Sequence, residues 1–181
     1  MQAPTEAFTI GHSTHPIERF LDLLRTHRIE AIADVRRYPG SRRNPQFGAD
    51  ALASSLAAAA IEYALLGDEL GGRRAARPDS VNAAWTVAAF RGYADHMDTP
   101  EFAGGLARLE GLAAQRRTAV MCAEGHWSRC HRRLIADALV ARGVRVIHIL
   151  PDGRSEEHRL TPFAVVRDGR PTYPGQDSLL G

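Results

Sequence analysis

Five short apolar runs recur along the chain, separated by longer stretches, most of which carry helical periodicity. This alternation limits the fold more than any other feature of the sequence. The runs are Phe8-Thr9-Ile10, Ala31 to Arg36, Ile61 to Leu66, Thr118 to Cys122 and Val144 to Leu150. Between the first two, Ile17, Phe20, Leu21 and Leu24 share one helical face, with Pro16 suited to a first turn. Asp50 to Ala60 reads as a helix with Leu52 and Leu56 inward, and a further helix is expected from Ala83 to Met97. Thr99-Pro100-Glu101 has the cap, first-turn proline and early acid of a helix start, followed by the stripe Phe102, Leu106, Leu109 and Ala113. Ser128 is expected to cap a helix from Arg129 to Arg142, closed by Gly143 in a left-handed conformation. Strands alternating with helices predict an α/β fold of about five mainly parallel strands, with helices on both faces and right-handed crossovers. The expected layout is one domain over residues 1–181, with a core from about 8 to 150 and a C-terminal extension from 151 to 181. In that extension Val165-Val166 and Thr172-Tyr173 flank Asp168-Gly169, as in a small hairpin. Gly71 to Asn82 is the longest loop-like stretch and is expected to be mobile.

Composition narrows the chemistry. All 23 basic residues are Arg, so Schiff-base chemistry and the phosphate-binding lysine of nucleotide-binding loops are excluded. Arginine forks bind phosphate or carboxylate through two parallel hydrogen bonds, although a GC-rich genome, which favours Arg codons, gives the same count. The net charge of +2 argues against broad nucleic-acid coating, while a local basic patch remains compatible with it. The two cysteines, Cys122 and Cys130, do not make a secreted disulfide framework. No apolar run approaches the ~20 residues of a membrane span. The start from Met1 to Phe8 lacks the basic and apolar regions of a signal peptide, so a cytoplasmic location without membrane contact is expected.

In a parallel sheet, ligands bind beyond the carboxyl ends of the strands. The unusual polar residues fall there. The first strand runs into His12 and Ser13, and the second ends in Asp34 and Arg36 with Ser41 and Arg42 in the following loop. The fourth ends in Cys122 and Glu124, and its loop runs to Cys130, His131 and Arg132. Asp34 sits inside an apolar run, so it is expected to be buried and paired with an arginine.

These residues fall into blocks: Gly11-His12-Ser13; Asp34-Val35-Arg36 with Pro39, Ser41 and Arg42; Phe90-Arg91-Gly92-Tyr93; Cys122-Ala123-Glu124; and Cys130-His131-Arg132. In that order, from Phe8 to about Leu150, they resemble the domain of unknown function family 488. The resemblance implies a compact cytoplasmic prokaryotic α/β protein and carries no particular reaction. The chain departs from the family pattern at Gly125-His126-Trp127-Ser128-Arg129, where acidic residues and often proline are expected.

The candidate catalytic residues are Cys122, Glu124, Cys130 and His12. The candidate anion-binding residues are Ser13, Asp34, Arg36, Ser41, Arg42, Arg91, His131 and Arg132. A cysteine just after a strand, in a loop entering a helix, is the setting of thiolate enzymes of phosphoryl and sulfur transfer. A phosphatase-type loop would need Arg at position 128, where Ser128 stands. Each residue also has a plain structural role: Cys122 as a small core side chain, Glu124 as an arginine partner, Ser13 or its neighbour Thr14 as a helix cap, and Phe90 and Tyr93 as core. No zinc-finger spacing occurs, so neither a metal nor another cofactor is expected. Three functions compete. The first is a small enzyme on a phosphate-bearing substrate, such as a nucleotide or a modified base in nucleic acid. The second is a non-catalytic nucleotide- or nucleic-acid-binding module, and the third is a metal or redox sensor built on Cys122 and Cys130.

Overall fold

The apolar runs become strands because a strand covered on both faces must be apolar along its length. In the computed structural model, which describes residues 5–176, five of them form a parallel sheet. They are β1 (Glu6–Gly11), β2 (Ala31–Asp34), β3 (Glu62–Leu65), β4 (Thr118–Cys122) and β5 (Arg145–Ile149). A sixth strand that the sequence reading lacks, β6 (Ser155–Glu157), pairs antiparallel with β5 at one edge. The order is β3-β2-β4-β1-β5-β6. The sequence-expected start at Met1 and end at Gly181 lie outside the described residues.

Helices cover both faces. On one face, α1 (Ile17–Thr26) and α2 (Ala49–Ala58) bury Phe20, Leu23, Leu24, Leu52 and Leu56 against Phe8, Ile10, Ile32 and Met121. After the single turn α3 (Gly67–Leu70), the other face receives α4 (Ala88–His96), α5 (Pro100–Gln115) and α6 (Arg132–Ala141). There Tyr93, Phe102, Leu109, Leu134, Ile135 and Leu139 pack on Ala7, Ala33, Val120 and Val146. Strand periodicity then assigns the polar residues to faces. Cys122, two residues after Val120, joins the cluster under α6. Asp34 follows Ile32 and faces the α1/α2 side.

Local signals explain some helix ends. Thr99 Oγ1 accepts from Phe102 N at 3.2 Å and caps α5, and Gly143 ends the last helical segment with φ +84°. The C-terminal hairpin is β7 (Val165–Arg167) with β8 (Arg170–Thr172), and Tyr173 falls just beyond it. Other expectations are corrected. The helix expected from Ala83 starts at Ala88, because Ala84 N instead bonds to Tyr173 O at 3.0 Å. The segment from Gly71 to Asn82 is tied down rather than loose. Asp95 of α4 accepts from Arg77 N, Ser80 Oγ and Asn82 Nδ2 at 2.8, 2.6 and 2.8 Å. Ser128 caps nothing: it sits in a 3-10 turn, Trp127–Arg129, and α6 begins only at Arg132. Ser13 does not cap α1 either, since Pro16 holds that position.

Candidate functional site

Three neighbouring strands end at the site. β1 and β2 both flank β4, with Gly11 opposite Cys122 and Asp34 opposite Met121. Backbone pairing continues past the strand ends, as His12 N and Ser13 N donate to Cys122 O and Ala123 O at 2.9 and 3.0 Å. The candidate residues therefore share one edge of the sheet but divide between its two faces.

On the α1/α2 side stands an acid–arginine pair. Asp34 is fully buried and takes Arg36 Nε and Nη2 at 2.9 and 2.7 Å, together with Tyr63 Oη at 2.6 Å. Arg36 Nη1 donates to Phe47 O at 2.7 Å. Burial opposes the arginine's charge, but the bonds and charge of Asp34 outweigh it and raise its pKa. With these donors committed, Arg36 holds the loop after β2. His12 stacks on Phe47 with ring centroids 4.3 Å apart, and its Nδ1 donates to Ser13 O at 2.8 Å. Burial, which outweighs the bond to Ser13, depresses the His12 pKa to about 4, so the ring is neutral near pH ~7.

On the α6 side the two cysteines meet, with Cys122 Sγ and Cys130 Sγ 2.9 Å apart. Arg132, with no exposed surface, places Nε at 3.0 Å from Cys122 Sγ and 3.3 Å from Cys130 Sγ. Its backbone N donates to Cys130 Sγ at 3.3 Å. Cys130 thus occupies the place expected of Ser128: its sulfur receives a donor from the first turn of α6. Burial alone would raise the Cys130 pKa, but the Cys122 thiol, Arg132 and His131 together bring it down. Burial and the neighbouring Cys130 hold Cys122 well above its ordinary value. These opposed shifts make Cys130 the more acidic thiol of the pair. His131 donates Nε2–H to Val35 O at 2.9 Å, and burial lowers its pKa against the opposing pull of Cys130.

Two chambers open over this edge. One, of about 320 Å³, is lined by Cys122, Cys130, His131, Tyr93, Phe90 and Arg37. The other, of about 330 Å³, is lined by His12, Ser13, Thr14, Ser41 and Asn44. Arg36, Tyr38, Arg73, Ala123 and Glu124 border both. The guanidinium groups of Arg37 and Arg73 both lie over the exposed Tyr38 ring, 5.7 and 5.8 Å from its centroid.

Several sequence candidates lie elsewhere. Arg42 is exposed and lines neither chamber, and Arg91 turns away to bond Trp85 O at 3.3 Å. Arg132 serves the sulfurs from below, and its Nη2 donates to Glu124 O at 2.6 Å. Asp34 lies beneath the chambers rather than in their walls. Two N–H groups of the loop after β4 are engaged internally, Arg129 N and Cys130 N on His126 O and Trp127 O. The sequence reading missed Arg37, Tyr38 and Arg73. The signal was present in Arg36-Arg37-Tyr38 and Gly72-Arg73, the one adjoining Asp34 and the other in the loop stretch.

Fold and site together define an α/β protein with a buried cysteine pair and an arginine-bordered cleft at the carboxyl edge of its sheet. The family model described as domain of unknown function DUF488 matches residues 16–139, more than half of the chain, and the chain belongs to that family. The matched span contains the Asp34, Phe90 and Cys122–Arg132 blocks, while Gly11-His12-Ser13 precedes it. No curated protein and no solved structure matches the chain. Among the described residues no helix is long and apolar enough to cross a membrane.

Proposed function

We propose that the protein is a small enzyme acting on a phosphate-bearing substrate, a nucleotide or a modified base in nucleic acid, with the Cys130 thiolate as nucleophile. The observation that carries this reading is Cys130 in the wall of the chamber of about 320 Å³, with its sulfur held by donors from Arg132 and Cys122. Arg37, Arg73 and Arg129 offer guanidinium groups for phosphate at the same chamber. Phe90, Tyr93 and Tyr38 offer ring faces for a base, and the hydroxyls of Ser13, Thr14 and Ser41 suit a sugar in the adjoining chamber. The thiolate attacks an electrophilic carbon or phosphorus, a sulfur bond forms, and the leaving group departs with its bonding pair. Glu124, exposed and bordering both chambers, takes a proton from the water that releases the product.

The 2.9 Å between the sulfurs also favours a second reading, a redox sensor that closes a Cys122–Cys130 disulfide under a peroxide. Among the described residues no group of three His, Cys, Asp or Glu side chains is placed to hold a metal ion.

Alkylation with iodoacetamide against pH, with the modified residue located by peptide mass, tests both readings. Cys130 is expected to react faster than free cysteine below pH ~8, and phosphate-bearing ligands are expected to slow it. Cys130→Ser abolishes the fast reaction and turnover while retaining ligand, whereas a pure binding module loses neither binding nor any activity. If no thiol reacts faster than free cysteine and no ligand protects, thiolate catalysis is wrong. Rapid loss of both thiols to dilute peroxide, without protection by phosphate, selects the sensor.

A further inference from the structure

A line of buried polar side chains leaves the sulfur pair and crosses the core under α6, and the chemistry at the chamber makes no use of it. Arg132 Nη1 donates to Thr9 Oγ1 at 3.2 Å, and Thr9 Oγ1 lies 2.7 Å from His148 Nδ1. His148 Nε2 is 2.9 Å from His158 Nδ1, and His158 Nε2 is 2.7 Å from Asp137 Oδ1. Asp137 also accepts from Thr161 N and Tyr173 Oη at 2.9 and 2.7 Å. Thr9 on β1 and His148 on β5 are register partners that both face α6. Thr9, Arg132, Asp137 and His148 have no exposed surface. Polar groups this deep are costly unless every donor and acceptor is matched.

The two ends fix each proton. A guanidinium only donates and a carboxylate only accepts. Among the described residues the Thr9 hydroxyl proton has one acceptor, His148 Nδ1. His148 therefore carries its proton on Nε2 and gives it to His158 Nδ1, and His158 donates from Nε2 to Asp137. All bonds then point from Arg132 to Asp137. Burial first, then the neighbouring His158 and Arg132, hold the His148 pKa down to about 2. The Trp127 ring lies flat on His148, with centroids 4.2 Å apart and planes 5° from parallel.

We propose that Thr9, His148, His158 and Asp137 are a positioning relay that holds the Arg132 guanidinium at hydrogen-bond distance from Cys122 and Cys130. It rests on the thiolate reading of the site. An arginine side chain has many rotamers, so an unheld one would not keep one edge on two sulfurs. Here Nη1 is taken by Thr9 and Nη2 by Glu124 O and Gly125 O, which leaves Nε for the cysteines. The ionisable groups around Cys130 are Cys122 from β4, Arg132 and His131 at the start of α6, and Tyr93 from α4. Across the chamber lie Arg36, Arg37, Arg73, Glu124 and Arg129. Of these the relay touches only Arg132.

The test is the pH profile of Cys130 alkylation in the full chain, read in wild type, Thr9→Val and Thr9→Ser, with thermal melting to verify folding. Thr9→Val keeps the shape and removes the hydroxyl. It is expected to move the midpoint up by about one pH unit, which is about tenfold less thiolate below it. Thr9→Ser restores the hydroxyl and is expected to titrate as wild type. Should Thr9→Val fail to fold, His148→Phe keeps a ring under Trp127 while deleting the acceptor, and the same upward shift is expected. A folded Thr9→Val with the wild-type midpoint, or Thr9→Ser shifted as far as Thr9→Val, overturns the relay alone. A wild-type protein with no fast thiol overturns the thiolate reading itself, and the relay with it.

Discussion

Gly11 ends β1 at the point where the backbone of Glu124 crosses it. A β-carbon there would lie 1.7 Å from Glu124 O and 2.9 Å from Arg132 Nη2. The obstacle is main chain, so the loop after β4 would have to move. Gly11→Ala is therefore expected to cost about 2 kcal/mol or more by urea unfolding, and to slow Cys130 alkylation because Glu124 O no longer anchors Arg132. Unchanged stability and unchanged reactivity would show that this contact does not hold the site. Single residues also show the limit of reading the sequence. The buried Asp34–Arg36 pair was legible, because an acid inside an apolar run needs a cation close by. Arg132 was not. Twenty-three arginines look alike in sequence, and only the crossing of β1 with the loop after β4 makes this one the counterion of the sulfurs. Thr9, His148 and His158 gave no signal, because their meeting depends on strands far apart in the chain.

Elements were legible where one local rule met no competitor. Thr99-Pro100-Glu101 predicts the start of α5, and Thr99 Oγ1 caps it. Thr99→Ala is expected to cost about 1 kcal/mol, measured as a lower urea midpoint with unchanged m-value. A neutral result would mean that Pro100 and the packing of Phe102 suffice to start the helix. The start of α6 failed by the same rule. Ser128 fits a cap, yet tertiary contacts claim the residue before it. The Trp127 ring is pinned on His148 and its Nε1 donates to Glu156. That contact holds Trp127–Arg129 in a 3-10 turn, and the helix waits for Arg132, where Cys130 sulfur supplies the acceptor. The edge strand β6 escaped because Ser155-Glu156-Glu157 is polar and exposed; backbone pairing with β5 and the Arg145–Glu157 ion pair hold it instead of apolar burial.

At the scale of the molecule, the buried imidazoles set the response to acid. His12 has a folded pKa of about 4 against an ordinary 6.5, and His131 and His148 are lowered as well. The unfolded chain then binds more protons than the native one as pH falls below ~6.5, so stability is full above that value and declines toward pH ~4. His12 alone accounts for about 3 kcal/mol across that window. Chemical denaturation at a series of pH values is expected to show this decline, and His12→Gln is expected to flatten it. A wild-type stability independent of pH over this range would contradict neutral buried histidines.

The strand order has a consequence in time. β1 and β2 leave the ribosome early, but neither touches the other: β4 lies between them. Until residues 118–122 are made, the first two strands have no common neighbour, and each presents an open edge. Pairing at such separation is slow to form. The thiol chemistry is assembled in the same event, since Cys122 ends the strand that fills the gap and Cys130 and Arg132 follow it directly. A nascent chain therefore completes its sheet and acquires its reactive sulfur together, and a chain arrested before Thr118 is expected to hold at most the β2–β3 pair, with β1 unpaired and one edge of β2 exposed to aggregation.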